Sequence, residues 1–171
     1  MVTTYCISPS IYHPNSIASD ISRCITMDDS DRIWIGTREG LSLYNHYKDE
    51  FSNYYYKRNG LNVAVTSIIP IKKDWLMLGT AEGILLFDVK KECFLSDTLS
   101  SSLHGLQPAA LVRQDDCIYI GTEEGVYIYT LSNGILEKLV DMPAGIVHAI
   151  LCRCLIEYGW LRREMDFICT T

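Results

Sequence analysis

Acidic pairs and histidines are the side chains in this sequence that could support catalysis. The adjacent carboxylates of Asp115-Asp116 and Glu123-Glu124 are groups that glycoside hydrolysis or cation binding would need. Both pairs fall in predicted turns, where acidic residues are common and neighbouring side chains point in different directions. The histidines are scattered over predicted loops and strand ends, as His13, His46, His104 and His148. No acid–base pair stands out, and ordinary turn and surface positions are the favoured interpretation.

The sequence also lacks the spacings of a metal, phosphate or nucleophile site. Cys152 and Cys154 are closer together than the usual Cys-x₂₋₄-Cys half-site, and no second half follows. There is no glycine-rich phosphate loop, no His-Glu-x-x-His and no Gly-x-Ser-x-Gly. We therefore predict a protein without enzymatic activity, metal or cofactor, whose seven cysteines are mostly small buried side chains and not disulfides.

Composition excludes two classes of partner. The 171 residues carry a formal net charge of −6, and the one basic cluster is the pair Arg162-Arg163, so nucleic-acid binding has no electrostatic support. No apolar run approaches the roughly 18 residues of a membrane span. The first residues lack the charged start and apolar centre of a secretory signal, so an exported parent protein would carry its signal outside this chain.

One motif occurs three times and organises the whole sequence. In each copy an apolar run enters Gly-Thr-x-x-Gly and a second apolar run follows, at residues 31–44, 74–87 and 116–129. Its first glycines, Gly36, Gly79 and Gly121, are 43 and 42 residues apart. A fixed period of this size indicates a repeat architecture. These glycines fall inside predicted strands, where a missing side chain is typical of close packing.

The strands between the turns predict the blades of a β-propeller. The second glycines of the motif, Gly40, Gly83 and Gly125, are expected at positive φ in tight hairpins. Four short strands per unit, with turns every 8 to 12 residues and no helical periodicity, are typical of a propeller blade. The predicted strands are Ile21–Met27, Arg32–Thr37, Leu41–Tyr47 and Phe51–Lys57, then Val65–Ile71, Trp75–Thr80, Ile84–Val89 and Cys93–Asp97, then Ala109–Arg113, Cys117–Thr122, Val126–Leu131 and Ile135–Leu139.

The motif resembles the two-component regulator propeller repeat. The resemblance rests on Ile33-Trp34-Ile35-Gly36-Thr37-x-x-Gly40-Leu41-x-x-Tyr44, preceded by Ile25-x-x-Asp28, and covers about residues 12–150. It implies part of the periplasmic sensor region of a hybrid two-component system of Bacteroides-type bacteria, responding to glycan breakdown products. The kinase, phosphotransfer and DNA-binding parts of such systems are absent from these residues. Copies two and three depart from the pattern with Met77 and Tyr119 in place of Trp34.

Ligands of propellers usually meet the face that carries the loop between strands two and three and the loop between blades. The expected ligand-binding residues there are Arg38, Glu39, Arg58, Asn59, Asn62 and His104. Their hydrogen-bonding groups suit an oligosaccharide, although polar loop residues need no such role. Tyr54-Tyr55-Tyr56 could stack on sugars, but we favour a strand with two packed tyrosines and one exposed. The alternative function is a protein–protein interaction propeller without a small ligand, and a propeller hydrolase or lyase has the least support.

The repeat predicts an incomplete propeller. The expected divisions are the end of a preceding blade at 1–20, blades at 21–62, 63–106 and 107–143, and the start of a fourth at 144–171. When the codons that could encode the tail are read in a shifted frame, starting at the third base of the Tyr158 codon, they can also spell the motif. We therefore expect residues 151–171 to be an out-of-frame translation. Because terminal blades leave apolar faces uncovered, we also expect self-association or packing against neighbouring blades.

Overall fold

The computed structural model describes residues 15–95 and 106–140, and every regular element in these ranges is a β-strand. The chain divides into two compact units between Gly105 and Leu106. The predicted all-β class is therefore confirmed. The predicted fourth blade and the tail at 151–171 lie outside the described residues. No described helix is long and apolar enough to cross a membrane.

The first unit contains two four-stranded antiparallel sheets joined by a short hairpin. The first sheet is β1 (Ser22–Met27), β2 (Ile33–Thr37), β3 (Leu41–Asn45) and β4 (Glu50–Tyr54), paired in chain order. The hairpin is β5 (Lys57–Arg58) and β6 (Leu61–Asn62). The second sheet is β7 (Val65–Lys72), β8 (Trp75–Thr80), β9 (Gly83–Asp88) and β10 (Cys93–Leu95), again paired in chain order.

The second unit contains one sheet of the same design. It consists of β11 (Ala110–Gln114), β12 (Cys117–Thr122), β13 (Gly125–Thr130) and β14 (Leu136–Val140), paired antiparallel in chain order. Each of the three sheets is thus a meander of the kind that forms a propeller blade. The predicted blade architecture is confirmed, and the described residues hold fewer blades than the four or more that close a propeller.

Two predicted strand ends were wrong for local reasons. The third strand was expected to reach Tyr47, but β3 ends at Asn45, whose Oδ1 accepts the backbone N–H of Tyr47 and of Lys48 and so begins a turn. The fourth strand was expected to reach Lys57, but β4 ends at Tyr54 and Lys57 opens the hairpin. The other predicted strands differ from the observed ones by at most one residue at each end within the described residues.

Sequence analysis missed the β5–β6 hairpin altogether and treated it as a loop. Its two turn residues, Asn59 and Gly60, have φ of 53° and 81°. Asn-Gly with positive φ at both positions is the preferred two-residue hairpin turn. The signal was therefore present in the sequence, but strands of two residues are too short to show alternation.

The core of the first unit lies between its two sheets. Trp34 of β2 is fully buried and packs edge-on against Phe87 of β9, with ring centroids 5.7 Å apart. Gly36 allows the sheets to approach, because an added Cβ would lie 2.8 Å from the carbonyl oxygen of Val65 and 2.5 Å from Sγ of Cys24. The expectation that this strand glycine marks close packing is confirmed.

Candidate functional site

A buried threonine fixes each turn between the second and third strands. Thr37 Oγ1 donates to the carbonyl oxygen of Gly40 at 3.0 Å and accepts the N–H of Glu39 at 3.2 Å. Thr80 and Thr122 make the same pair of bonds in their own turns. All three threonines are at most 4% exposed. Buried polar groups need partners, and here each turn supplies its own.

The closing glycine of each turn has positive φ, as the sequence predicted. The values are 151° at Gly40, 123° at Gly83 and 135° at Gly125. An L side chain is strained in this region, so the backbone path of the turn depends on glycine. The two residues between threonine and glycine therefore project from a turn whose shape does not depend on them.

The β5–β6 hairpin contacts the turns of both sheets in the first unit. Asn62 Nδ2 donates to Glu39 Oε2 at 3.0 Å, which ties the hairpin to the turn of the first sheet. Arg58 Nη1 lies 2.9 Å from Glu82 Oε2, which ties it to the turn of the second sheet. The hairpin and these turns form one polar surface, which we call the hairpin surface: residues 38–39, 57–62 and 81–82.

Five of the six expected ligand-binding residues lie on the hairpin surface. Glu39 and Asn62 bind each other, and Arg58 is paired with Glu82. Arg38 and Asn59 are exposed. His104 lies outside the described residues. The structure therefore brings five of the predicted polar groups to one surface.

One polar atom on the hairpin surface is buried without a partner. Asn62 Oδ1 has no hydrogen bond, whereas its amide nitrogen is bonded to Glu39. The polar groups of this surface thus do not satisfy all of one another's hydrogen-bonding capacity.

The Arg58–Glu82 ion pair of this surface is exposed, with side chains 53% and 46% exposed. Such a pair contributes little to stability, and Arg58 can exchange Glu82 for another partner.

The other candidate residues have structural roles. Tyr54 packs on Phe87 with ring centroids 4.8 Å apart and Tyr56 packs on Phe94 at 5.5 Å, while Tyr55 is 46% exposed. Two tyrosines are thus packed and one is exposed, as expected, but the expected strand through all three is wrong, because β4 ends at Tyr54.

The acidic pairs of the second unit also lie in turns. Asp116 Oδ2 accepts the N–H of Ser132 at 3.2 Å, and Glu124 Oε2 accepts the hydroxyl of Tyr127 at 3.4 Å. In residues 15–95 and 106–140 no three His, Cys, Asp or Glu side chains form a group able to hold a metal ion. The described cysteines, Cys24, Cys93 and Cys117, are half-buried.

Sequence analysis treated Asp28 only as part of a turn and of the repeat signature, and missed its central role. The carboxylate is 5% exposed and accepts the indole N–H of Trp34 at 2.8 Å and Nε of Arg32 at 2.6 Å. It also accepts the backbone N–H of Ser30 and of Arg32, at 2.9 and 3.1 Å. Burial acts to raise the pKa of Asp28, but these hydrogen bonds hold that pKa below its usual value.

Asp28 also connects the two sheets of the first unit through Arg32. The guanidinium that binds Asp28 donates from Nη2 to the carbonyl oxygen of Lys73 at 3.0 Å and lies 3.6 Å from Asp74. Lys73 and Asp74 form the turn between β7 and β8. One carboxylate therefore orients a buried indole and an arginine that reaches the neighbouring blade.

The second sheet replaces this polar pair with an apolar one. Met77 pairs with Ile69 in the second sheet as Trp34 pairs with Thr26 in the first. Ile71, two residues after Ile69, therefore occupies the position of Asp28, which is two residues after Thr26. Ile71 and Met77 are 3% and 0% exposed. The buried indole N–H and its carboxylate partner are thus present together or absent together in these two sheets.

Comparisons with known proteins agree with this geometry. The model of the family described as two component regulator propeller matches residues 16–39, which span β1 and β2 and end one residue before Gly40. The resemblance seen in the sequence is confirmed. Comparison with curated proteins gives no significant match.

Solved structures share the fold. The extracellular domain of the hybrid two component system BT3049 from B. thetaiotaomicron is 25% identical with a TM-score of 0.63, covering 81% of this chain and 20% of that one. That of BT4673 from the same organism is 22% identical with a TM-score of 0.59, covering 70% and 15%. PorZ, a surface component of the type-IX secretion system of Porphyromonas gingivalis, is 14% identical with a TM-score of 0.55, covering 74% and 17%. The chain spans a fifth or less of these structures.

Proposed function

We propose that this chain is a non-catalytic segment of the extracytoplasmic sensor propeller of a hybrid two-component system, and that the sensor responds to glycan fragments. The observation that carries the proposal is the two component regulator propeller repeat at residues 16–39, set in a fold like that of extracellular domains of such systems. Such a segment acts by binding and by transmitting strain between blades, and it needs no reactive group.

The hairpin surface is the proposed contact for the ligand. It presents guanidinium, amide and carboxylate groups on a two-residue turn, and hydroxyl-rich ligands need donors and acceptors of these kinds. Arg58 is the best-placed donor, because its partner Glu82 is itself half exposed and can be displaced. A ligand that takes Arg58 from Glu82 would loosen the tie between the hairpin and the second sheet.

A glycan array probed with the purified chain tests this function. The array would carry neutral xylo- and cello-oligosaccharides together with acidic oligogalacturonates and chondroitin disaccharides, and calorimetric titration would follow for each glycan that binds. Arg58→Gln is expected to weaken binding about tenfold, the effect of losing one hydrogen bond to a charged group. Lys48→Gln removes the same charge from the exposed turn between β3 and β4, outside the hairpin surface, and is the matched control.

The outcome separates the two candidate functions. Binding that falls in Arg58→Gln and persists in Lys48→Gln supports the glycan-sensing role and its placement at the hairpin. Equal losses in both variants would show that overall charge, and not this surface, attracts the glycan. If no glycan of the array binds, the glycan-sensing proposal is wrong and the protein-interaction function is preferred.

A further inference from the structure

The hairpin surface carries more positive than negative charge. Its cations are Arg38, Lys57 and Arg58, and its carboxylates are Glu39 and Glu82. The whole chain has a net charge of −6, so this positive excess is local and opposes the charge of the rest of the protein. A positive surface on an acidic protein favours ligands that carry negative charge.

Two of these cations, Arg38 and Lys57, have no ion-pair partner among the described residues. The ion pairs found there are those of Arg32, Arg58 and Lys91. Both carboxylates of the hairpin surface are already bound, one by the amide of Asn62 and the other by the guanidinium of Arg58. Since Arg38 and Lys57 are also exposed, their charges are free to meet a ligand.

The hairpin brings Lys57 to the turn that carries Arg38. Lys57 lies directly opposite Asn62, and directly paired residues share a face. Asn62 Nδ2 in turn donates to Glu39, the residue after Arg38, at 3.0 Å. The two cations therefore flank one hydrogen bond, and their long side chains can reach a single acidic sugar from either side.

The positive charge at this turn is not needed by the turn itself. The residues at the same positions are Ala81-Glu82 in the second sheet and Glu123-Glu124 in the third, and neither pair contains a cation. These turns nevertheless keep the same threonine bonds and the same positive φ at glycine. Arg38 thus has no role in shaping the backbone that recurs in all three sheets.

An aromatic ring beside these cations suits a sugar better than a bare anion. Tyr55 Cδ1 lies 3.4 Å from the position that a Cβ on Gly40 would take, so the ring rests against the glycine that closes the Arg38 turn. Tyr55 is 46% exposed. The apolar C–H face of a sugar ring can pack on exposed aromatic surface while an acidic group on the same sugar binds the neighbouring cations.

We propose that the hairpin surface selects acidic oligosaccharides, whose carboxylate or sulfate group is bound by Arg38 and Lys57. This inference rests on the proposed glycan-sensing function and adds the chemical class of the glycan. The guanidinium of Arg38 can bind either anion through two parallel N–H donors, and Lys57 adds a point charge. Arg58 remains a donor for hydroxyl groups of the same glycan.

Calorimetric titration with matched glycans tests the selectivity. Oligogalacturonate is compared with its methyl ester, and a sulfated chondroitin disaccharide with the unsulfated one, so that each pair differs in one kind of anionic group. The purified chain is expected to bind at least one acidic member about tenfold more tightly than its partner. Raising the salt concentration from about 0.05 M to about 0.5 M should reduce that preference, because exposed charges are screened.

Variants locate the preference on the hairpin surface. In Arg38→Gln and in Lys57→Gln the preference for the acidic member is expected to fall about threefold to tenfold, and in the double variant it should be lost. Arg38→Lys keeps the charge and should keep most of the preference. Lys48→Gln removes a charge outside the hairpin surface and should keep all of it. Because all three side chains are exposed, circular dichroism should show the strand spectrum of the parent in each variant.

The results distinguish this inference from the function on which it rests. A preference in the galacturonate pair identifies the bound group as carboxylate, and a preference in the chondroitin pair identifies it as sulfate. The inference is wrong if neither pair shows a preference, if the preference persists in the double variant, or if Lys48→Gln removes it equally. Glycan binding that still falls in Arg58→Gln would then leave the glycan-sensing function standing, whereas a chain that binds no glycan would overturn both.

Discussion

The Asp28 carboxylate should be the most sensitive polar group of the first unit. In Asp28→Ala the buried indole N–H of Trp34 loses its acceptor at 2.8 Å, and Arg32 loses the partner that directs it toward the second sheet. Hydrogen bonds to a charged group contribute about 1.5–3 kcal/mol, and a buried donor left without a partner costs about 1–3 kcal/mol. We expect the free energy of unfolding to fall by about 3 kcal/mol in total.

Two further variants separate this effect from a general loss of charge. Asp29→Ala removes the adjacent, exposed carboxylate and should change the free energy of unfolding by less than about 0.5 kcal/mol. Asp28→Ile combined with Trp34→Met reproduces the apolar pair of the second sheet. Relative to the sum of the two single variants, the double variant should recover about 1–3 kcal/mol, because neither residue then leaves the other unpaired.

Urea unfolding is measured on the parent and all five variants. It is followed by far-ultraviolet circular dichroism, since Trp34 is itself replaced in two of the variants. Protein concentration is held constant across the series, so that association contributes equally. If Asp28→Ala unfolds with the parent, or if the two single effects simply add, then the indole–carboxylate bond does not stabilise the fold and our account of the network is wrong.

Two other predictions follow from the same unit. The pKa of Asp28 is lower in the folded chain than in the unfolded one, so its stabilisation is fully present above the unfolded carboxyl pKa of about 4 and is lost as pH falls through the folded value. The difference in unfolding free energy between the parent and Asp28→Asn should therefore shrink from pH 5 to pH 3, and a constant difference in urea titrations would contradict this. Gly36→Ala should cost about 1–3 kcal/mol, because its Cβ would meet the Val65 carbonyl at 2.8 Å. A Gly36→Ala variant that is as stable as the parent in thermal melts would contradict close packing at Gly36.

The repeat made most of the fold predictable. Gly-Thr-x-x-Gly encodes its turn within five residues, since threonine supplies the bonds and the last glycine supplies positive φ. Local information of this kind is visible in a sequence. The burial of Trp34 was predictable from local sequence too, because it stands in the continuous apolar run of β2.

Pairing between distant residues was not predictable. The sequence shows four polar residues at 28–31, but only the structure shows that Asp28 turns inward to the indole six residues later. Likewise the predicted ligand residues were chosen by loop position, whereas the bonds of Asn62 to Glu39 and of Arg58 to Glu82 join positions 23 and 24 residues apart. These contacts depend on how the sheets pack, which no local pattern encodes.

The threonine-fixed turns also bear on how such a protein can change its specificity. The residues between threonine and glycine are Arg38-Glu39, Ala81-Glu82 and Glu123-Glu124, and the first of each pair is exposed. Because threonine supplies the side-chain bonds of the turn and glycine its positive φ, substitution at that first position alters the charge shown on one rim of the blade with little effect on folding. Duplication of a blade thus supplies a new position at which recognition can diversify without a cost in stability, in the way that antibody loops vary on a constant framework.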